Sequence, residues 1–583
     1  MNKQNSPVGA FTFVLHAHLP YVLAHGRWPH GMDWLCECAA ESYLPMLDTF
    51  YRLVEEGYSP KVTMGITPVL TEQLADESFK HELVDYLENR IRTAIENRAE
   101  FEQQGSKHMV ELADYWQGFF TGVLTRFKEK YHYDIVGAFR KLQDEGHIEI
   151  ITCAATHGYL PLIGEDTAMQ AQIKQGVAVY QRHYGRQPRG FWLPECAYRP
   201  RYRWRSPLKD AGPQEPYLRK GVEEFLSEAG IDYFIIDSHL LKGGEAIGVY
   251  MDRFRALQLL WQQFEKSYKP EPEDKEKSPY HPYLVSSAPE GMRPIAIFTR
   301  NPETGIQVWS GEHGYPGDGW YLDFHKKHYP GGHRYWRVTS PKSDLADKWE
   351  YEPAKAAERP PENAGHFKQL VKDLLWKHRE ASGEAGMLCA PYDAELFGHW
   401  WFEGNDWLYY VLKWMQDDPE IRLATLSEFL DEYDPTTVIT LPEGSWGEGG
   451  FHWIWLNDWT NWTWKHVYQA EAEMQSLARE FGERQDPELQ KILRQTAREL
   501  LLLESSDWQF LISTWSARDY AEMRLSEHSE SFRRLADMAR RYGRGEGANS
   551  EDWNFLGACE ERDKLFPEVN PLWWAHVDYP PVG

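Results

Sequence analysis

Two carboxylates in this sequence stand directly after short apolar runs, where the following loops would carry chemistry. Glu195 lies in Gly190-Phe191-Trp192-Leu193-Pro194-Glu195-Cys196-Ala197-Tyr198, and Asp393 in Ala390-Pro391-Tyr392-Asp393-Ala394-Glu395-Leu396-Phe397-Gly398-His399-Trp400-Trp401. Paired carboxylates suit glycosidic chemistry, because an oxocarbenium-like transition state needs an anion on one face of the sugar and a proton for the departing oxygen. A gap of about 5 to 5.5 Å makes the second carboxylate a nucleophile and retains configuration, whereas about 6.5 to 9.5 Å admits a water and inverts it. Sequence spacing leaves that distance open. Taken singly, either acid also reads as an N-cap for the next helix. The 26 Trp and 32 Tyr fill cores in general, but many cluster here with Gly, His and carboxylates, as flat hydroxyl-bearing ligands require.

His16-Ala17-His18 offers a second constellation, since a His-x-His pair on a strand places both rings on one face. With Asp393 the pair could ligate a metal in a deacetylase-type site. Cys36-Glu37-Cys38 has no second Cys or His pair at zinc spacing, so the six cysteines read as structural thiols.

Seven apolar runs must position these side chains: Phe11 to His16, Lys61 to Thr67, Ile148 to Ala155, Gly190 to Pro194, Ile231 to Asp237, Ile295 to Arg300 and Gly386 to Asp393. Most are continuous and not alternating, the mark of strands buried on both faces of a parallel sheet. Helical patterns separate them at Glu41 to Glu56, Asp134 to Glu145, Thr167 to Tyr184, Tyr217 to Ala229 and Phe367 to Arg379. Several end at a glycine that suits a left-handed C-cap: Gly57, Gly146, Gly185 and Gly230. The pattern predicts an α/β fold. In a barrel of parallel strands the active site lies at the C-terminal strand ends, which offer His16 and His18, Thr67, His157, Glu195, His239, Arg300 and Asp393.

Two connections exceed a simple crossover. Residues 69–133 predict a helical insertion, and residues 256–292, with the charged run 269–277, predict a solvated loop insertion, read either as a lid or as a disordered surface excursion. After about Pro442 the strand signal stops, so residues 1–440 are expected to form the catalytic barrel and 441–583 a helical C-terminal domain. With 42% hydrophobic and 26% charged residues the chain has the make-up of a globular enzyme. Its formal charge of −26 disfavours nucleic acid and anionic membranes. The absence of a long apolar run or signal core leads to the expectation of a cytoplasmic location.

His16-Ala17-His18-Leu19-Pro20-Tyr21-Val22, the Gly190–Tyr198 segment and Pro391 to Gly404 together resemble glycoside hydrolase family 57. Thr156-His157-Gly158-Tyr159-Leu160-Pro161, Gly314-Tyr315-Pro316-Gly317-Asp318 and Ser505-Ser506-Asp507-Trp508 extend the likeness. Within the family the resemblance is to 1,4-α-glucan branching enzymes. It implies a (β/α)7 barrel, a retaining mechanism with Glu195 as nucleophile and Asp393 as general acid and base, and neither metal nor organic cofactor. The implied partner is an α-1,4-glucan, donor and acceptor alike, with 4-α-glucanotransferase and α-amylase as alternatives in the family. A glucan-binding protein without activity is the alternative from another class.

By the same resemblance His16, His18 and His157 contact or orient the sugar, while Arg300 and Gly317 contact substrate. Trp28, Trp309, Trp446 and Trp455 form aromatic platforms, and Asp507 reaches the glucan from the helical domain. The competing readings are a core histidine for His157, a tight turn for Gly317, core packing for each Trp and a helix cap for Asp507. A lid tyrosine is implied as well, with Tyr268, Tyr280 and Tyr283 as candidates.

Overall fold

The computed structural model describes residues 6–242, 256, 259, 277–288, 292–310 and 314–581. Seven parallel strands form its centre: β1 (Gly9–Ala17), β2 (Val62–Ile66), β3 (Ile148–Cys153), β4 (Gly190–Trp192), β5 (Tyr233–Ile236), β6 (Ile295–Thr299) and β7 (Gly386–Asp393). They pair in the order β7-β1-β2-β3-β4-β5-β6. A parallel bridge between Arg300 and Cys389 joins β6 back to β7, where the Asn301 N–H donates to the Cys389 carbonyl at 2.9 Å. The seven runs read from the sequence are these seven strands, arranged as a ring.

Strand parity decides what points inward. Ala10 and Val14 of β1, Ile151 and Cys153 of β3, Trp192, Tyr233 and Ile235, Ala296 and Phe298, and Met387 and Cys389 make one interior cluster. Their neighbours Phe11, Phe13, Leu15, Ile150, Phe191, Phe234, Ile297 and Leu388 belong to the outer core that the helices cover. Because side chains alternate along a strand, His16, Arg300 and Asp393 share the inward parity of those interior residues. Phe429 and Leu426, beyond the short strand Ile421–Leu423 that pairs with the start of β1, join the same interior cluster, as does Trp446 beside Glu195.

The connections follow the helical pattern with adjustments. Ile135–Asp144 and Asp166–Tyr184 lie where the periodicity placed them, and Gly57, Gly146, Gly185 and Gly230 all have positive φ. The helix expected from Tyr217 is shorter, Val222–Glu228, because Tyr217–Arg219 pairs antiparallel with Tyr202–Trp204. Extended backbone there lets the buried Arg219 reach Asp166 at 2.7 Å and the Ile163 carbonyl at 2.5 Å. Residues 69–133 hold the helical hairpin Glu77–Gln103 and Lys107–Thr125. Beyond the two-residue strand Val438–Ile439 no strand follows among the described residues; the helices Asn461–Phe481, Pro487–Leu503, Asp507–Thr514, Arg518–Gly543 and Ser550–Arg562 pack together instead. All six cysteines are buried free thiols. Among the described residues no helix is long and apolar enough to cross a membrane.

Candidate active site

Glu195 follows β4 in a single helical turn, Pro194–Cys196, and has φ 60° and ψ 26°. Left-handed backbone in a residue with a Cβ costs about 1 to 3 kcal/mol, so its surroundings must hold it. They do so through residues 444–446, which lie alongside: Tyr198 and Gly444 bridge, and the Trp446 N–H donates to the Glu195 carbonyl at 3.0 Å. The Trp446 indole N–H then donates to Glu195 Oε2 at 2.7 Å. Burial pushes the Glu195 carboxyl up to about 8; the Trp446 bond opposes that rise, while the charges of Asp393 and Asp507 add to it. Asp393 closes β7 in register with His16 on β1. In a ring of seven, β4 and β7 are three strands apart one way and four the other, the widest separation available.

Three histidines lie in the same mouth. His16 Nε2 and His157 Nε2 are 3.1 Å apart, the His18 and His157 rings stack with centroids at 4.0 Å, and His16 stacks on Trp192 at 4.6 Å. Gly65 on β2 makes room, since a Cβ there would stand 3.2 Å from His16 Nδ1. Burial keeps His16 and His157 well below the usual imidazole range, hence neutral. His157 Nδ1 lies 4.0 Å from Glu195 Oε1.

The helical segment completes the cluster. Ser506 Oγ meets His157 Nδ1 at 2.8 Å, and both Asp507 oxygens lie 3.0 Å from His18 Nε2. Gly158 bridges to Ser505, so the loop after β3 is fixed to that segment. Burial works against the Asp507 charge, but His18 beside it holds the carboxyl below its ordinary value.

The other expected contact residues differ in how they are placed. Arg300 is 1% exposed; its guanidinium pairs with Asp237 at 3.3 Å and lies 5.6 Å from the Trp446 ring centroid, under the floor of the mouth. Of the four tryptophans only Trp28 presents its ring to solvent, at 71% exposed. Trp309 at 5% packs near Tyr392 and Trp400, and Trp455 at 1% stacks on Tyr159. Trp446 is turned to Glu195. Trp309, Trp446 and Trp455 are thus buried side chains in this structure, and of these three Trp455 has Tyr159 stacked on its ring. Gly317 lies in the turn Tyr315–Gly317 with its N–H on the Gly314 carbonyl at 3.1 Å.

Tyr280 stacks on His378 and accepts from Met387 N–H at the start of β7, and Tyr283 lies in a strand antiparallel to β6. Neither stands on the rim, because backbone pairing has claimed both. Tyr268 lies outside the described residues. Nor do His16, His18 and Asp393 form a metal donor set: among the described residues the convergent groups are His25, His528 and Asp563, and Glu37, Glu41 and His399. Two further carboxylates lie beside the site residues, each marked in the sequence only by its place next to a strand end. Glu395, two places after Asp393, accepts from Tyr43 OH at 2.6 Å and His18 N–H at 3.0 Å, and Asp237 ends the fifth apolar run.

The profile of glycosyl hydrolase family 57 matches residues 12–442, which run from within β1 through the other six strands of the ring. The chain belongs to glycosyl hydrolase family 57. The family 57 barrel is followed at residues 466–574 by a match to the profile "1,4-alpha-glucan branching enzyme, C-terminal". A 1,4-alpha-glucan branching enzyme of Thermococcus kodakarensis is 43% identical over 96% of this chain and 78% of its own length. The crystal structure of a family 57 branching enzyme from Pyrococcus horikoshii superposes with a TM-score of 0.86, at 42% identity over 99% of this chain and 98% of that one. The α-amylase AmyC of Thermotoga maritima gives 0.79 at 28% identity, over 98% of this chain and all of its own.

Proposed function

We propose that this protein is a 1,4-α-glucan branching enzyme acting by a retaining transglycosylation. Glu195 attacks the anomeric carbon through Oε1, the oxygen that Trp446 does not hold, as Asp393 gives its proton to the departing 4-oxygen. A glycosyl ester on Glu195 and a new chain end result. Asp393, now ionised, takes the proton of an acceptor 6-hydroxyl, whose oxygen displaces Glu195 and forms the α-1,6 link. The electrostatics support this division: a proton resting on Asp393 removes one of the charges that raise Glu195, and the Trp446 N–H favours a Glu195 anion. Arg300 acts in this reading beneath the site and His16, His18, His157 and Asp507 on the sugar hydroxyls. The division into residues 1–440 and 441–583 belongs to the same proposal, with Ser506 and Asp507 supplied by the second part.

The observation that carries the reading is the branching-enzyme match at residues 466–574, on the segment that delivers Ser506 and Asp507. The likeness to AmyC favours hydrolysis as the second reading. Proton NMR of amylose before and after incubation separates them: new α-1,6 signals support branching, and reducing ends without α-1,6 links overturn it. Glu195→Gln abolishes transfer and leaves glucan binding intact; full activity of that variant would remove Glu195 as nucleophile. A strong chelator leaves the rate unchanged, whereas a loss reversed by zinc would reinstate the metal-site reading.

A further inference from the structure

Between the turn Tyr315–Gly317 and the helix Arg359–Ser382 the chain forms a small ladder of single bridges, Leu322 with Arg337 and Trp336 with Glu350. Three indoles belong to it. The Arg337 guanidinium, buried and bonded to the Gly319 carbonyl at 3.0 Å, lies 4.1 Å from the Trp320 ring centroid and 4.8 Å from that of Trp349. Lys326 stands 4.4 Å over the ring of half-buried Trp336.

Trp349 is 65% exposed, yet it is held firmly. Its backbone N–H donates to Thr339 Oγ1 at 2.9 Å, its backbone carbonyl accepts from the Arg337 N–H at 2.9 Å, and neighbouring Lys348 pairs with Asp323 at 2.7 Å. A surface indole with nothing to meet loses apolar area by lying flat on the protein. This one has one face against a cation and the rest of its area in water, pre-ordered as stacking on a flat ring requires. The net charge of −26 disfavours an anionic partner and leaves an uncharged polyol favoured.

We propose that Trp349, braced by Arg337 and Trp320, is a second glucan-binding site, which stacks a glucose ring of the polymer away from the bond being cut. The inference rests on the α-glucan reading above and adds a contact to it. A long chain would gain from both sites through effective concentration, and a short chain from the catalytic mouth alone.

The test compares wild type with Trp349→Ala, Trp349→Phe and Arg337→Met. It reads retardation in native gels containing amylose, and kinetics on long amylose and on the shortest amylose that is turned over. For Trp349→Ala we expect KM on long amylose to rise roughly 3- to 10-fold, with kcat and the short-chain KM unchanged and gel retardation weakened. Trp349→Phe keeps part of the effect, and Arg337→Met loses part of it. Undiminished retardation of Trp349→Ala overturns the proposal. So does an equal loss on long and short chains, which would move Trp349 into the catalytic mouth, or a change of oligomeric state without glucan, which would make it a self-association surface. A wild type that is neither retarded nor able to form α-1,6 links refutes the α-glucan reading itself.

Discussion

At the scale of single residues, Trp446 ties together three features of the mouth. Its backbone holds the left-handed Glu195, its indole N–H binds the carboxylate, and its ring lies near the buried Arg300 cation. A hydrogen bond to a charged group contributes about 1.5 to 3 kcal/mol, or about one to two units of pKa. Trp446→Phe keeps much of the packing and removes that donor, so Glu195 holds its proton to higher pH. The acidic limb of the rate profile then moves up by about one unit or more. An unmoved limb, with only the amplitude lowered, would assign Trp446 to packing alone.

At the scale of elements, the barrel alone does not complete the site. The start of the helix Asp507–Thr514 places Asp507 on His18, and Ser506 just before it meets His157; both histidines come from strand-end loops of the ring. Gln172 on the helix Asp166–Tyr184 donates to Glu504 at 2.7 Å, at the end of the helix Pro487–Leu503, and to Thr156 at 3.0 Å. Asp507→Asn keeps the shape and removes the charge. In the proposed function Asp507 also binds a sugar hydroxyl, and loss of a charge-assisted bond of about 1.5 to 3 kcal/mol to the substrate predicts a fall of about 10- to 100-fold in kcat/KM, with the thermal midpoint changed far less. A comparable fall in the midpoint would mean that Asp507 serves the interface and not the reaction.

At the scale of the whole molecule, buried polar groups tie a loop of the ring to the C-terminal helices and those helices to one another. His25, in the loop after β1, lies 2.6 Å from Asp563, and His528 lies 2.9 Å from Glu499, with Arg562 and Arg524 alongside. Such groups make stability depend on pH. Burial pushes Glu504 up to about 8, so between the carboxylate's ordinary range and that value the folded state binds more protons than the unfolded one. Its contribution is complete in acid and lost as pH rises towards 8. Glu504→Gln cannot ionise, so its thermal midpoint falls less steeply from pH 5 to 8 than that of wild type. Parallel midpoint curves would show that Glu504 is already ionised in the fold.

The sequence by itself determined the seven strands, their helices and the glycine caps, because strands buried on both faces are continuous apolar runs and left-handed caps select glycine. It also determined that Glu195 follows the fourth strand and that Asp393 closes the seventh. Period-two alternation, once the ring is known, turns His16, Arg300 and Asp393 inward. Tertiary structure alone decided the rest. Arg300 reads from the sequence as a substrate contact, and only the fold sets Asp237 and Trp446 beside it; Trp455 reads as a platform or as core, and only the fold stacks Tyr159 on its ring. Ser506 and Asp507 are more than 300 residues from the loops they complete. Local pattern records which face of an element is buried; what covers that face depends on contacts between residues far apart in the chain, and no single segment encodes them.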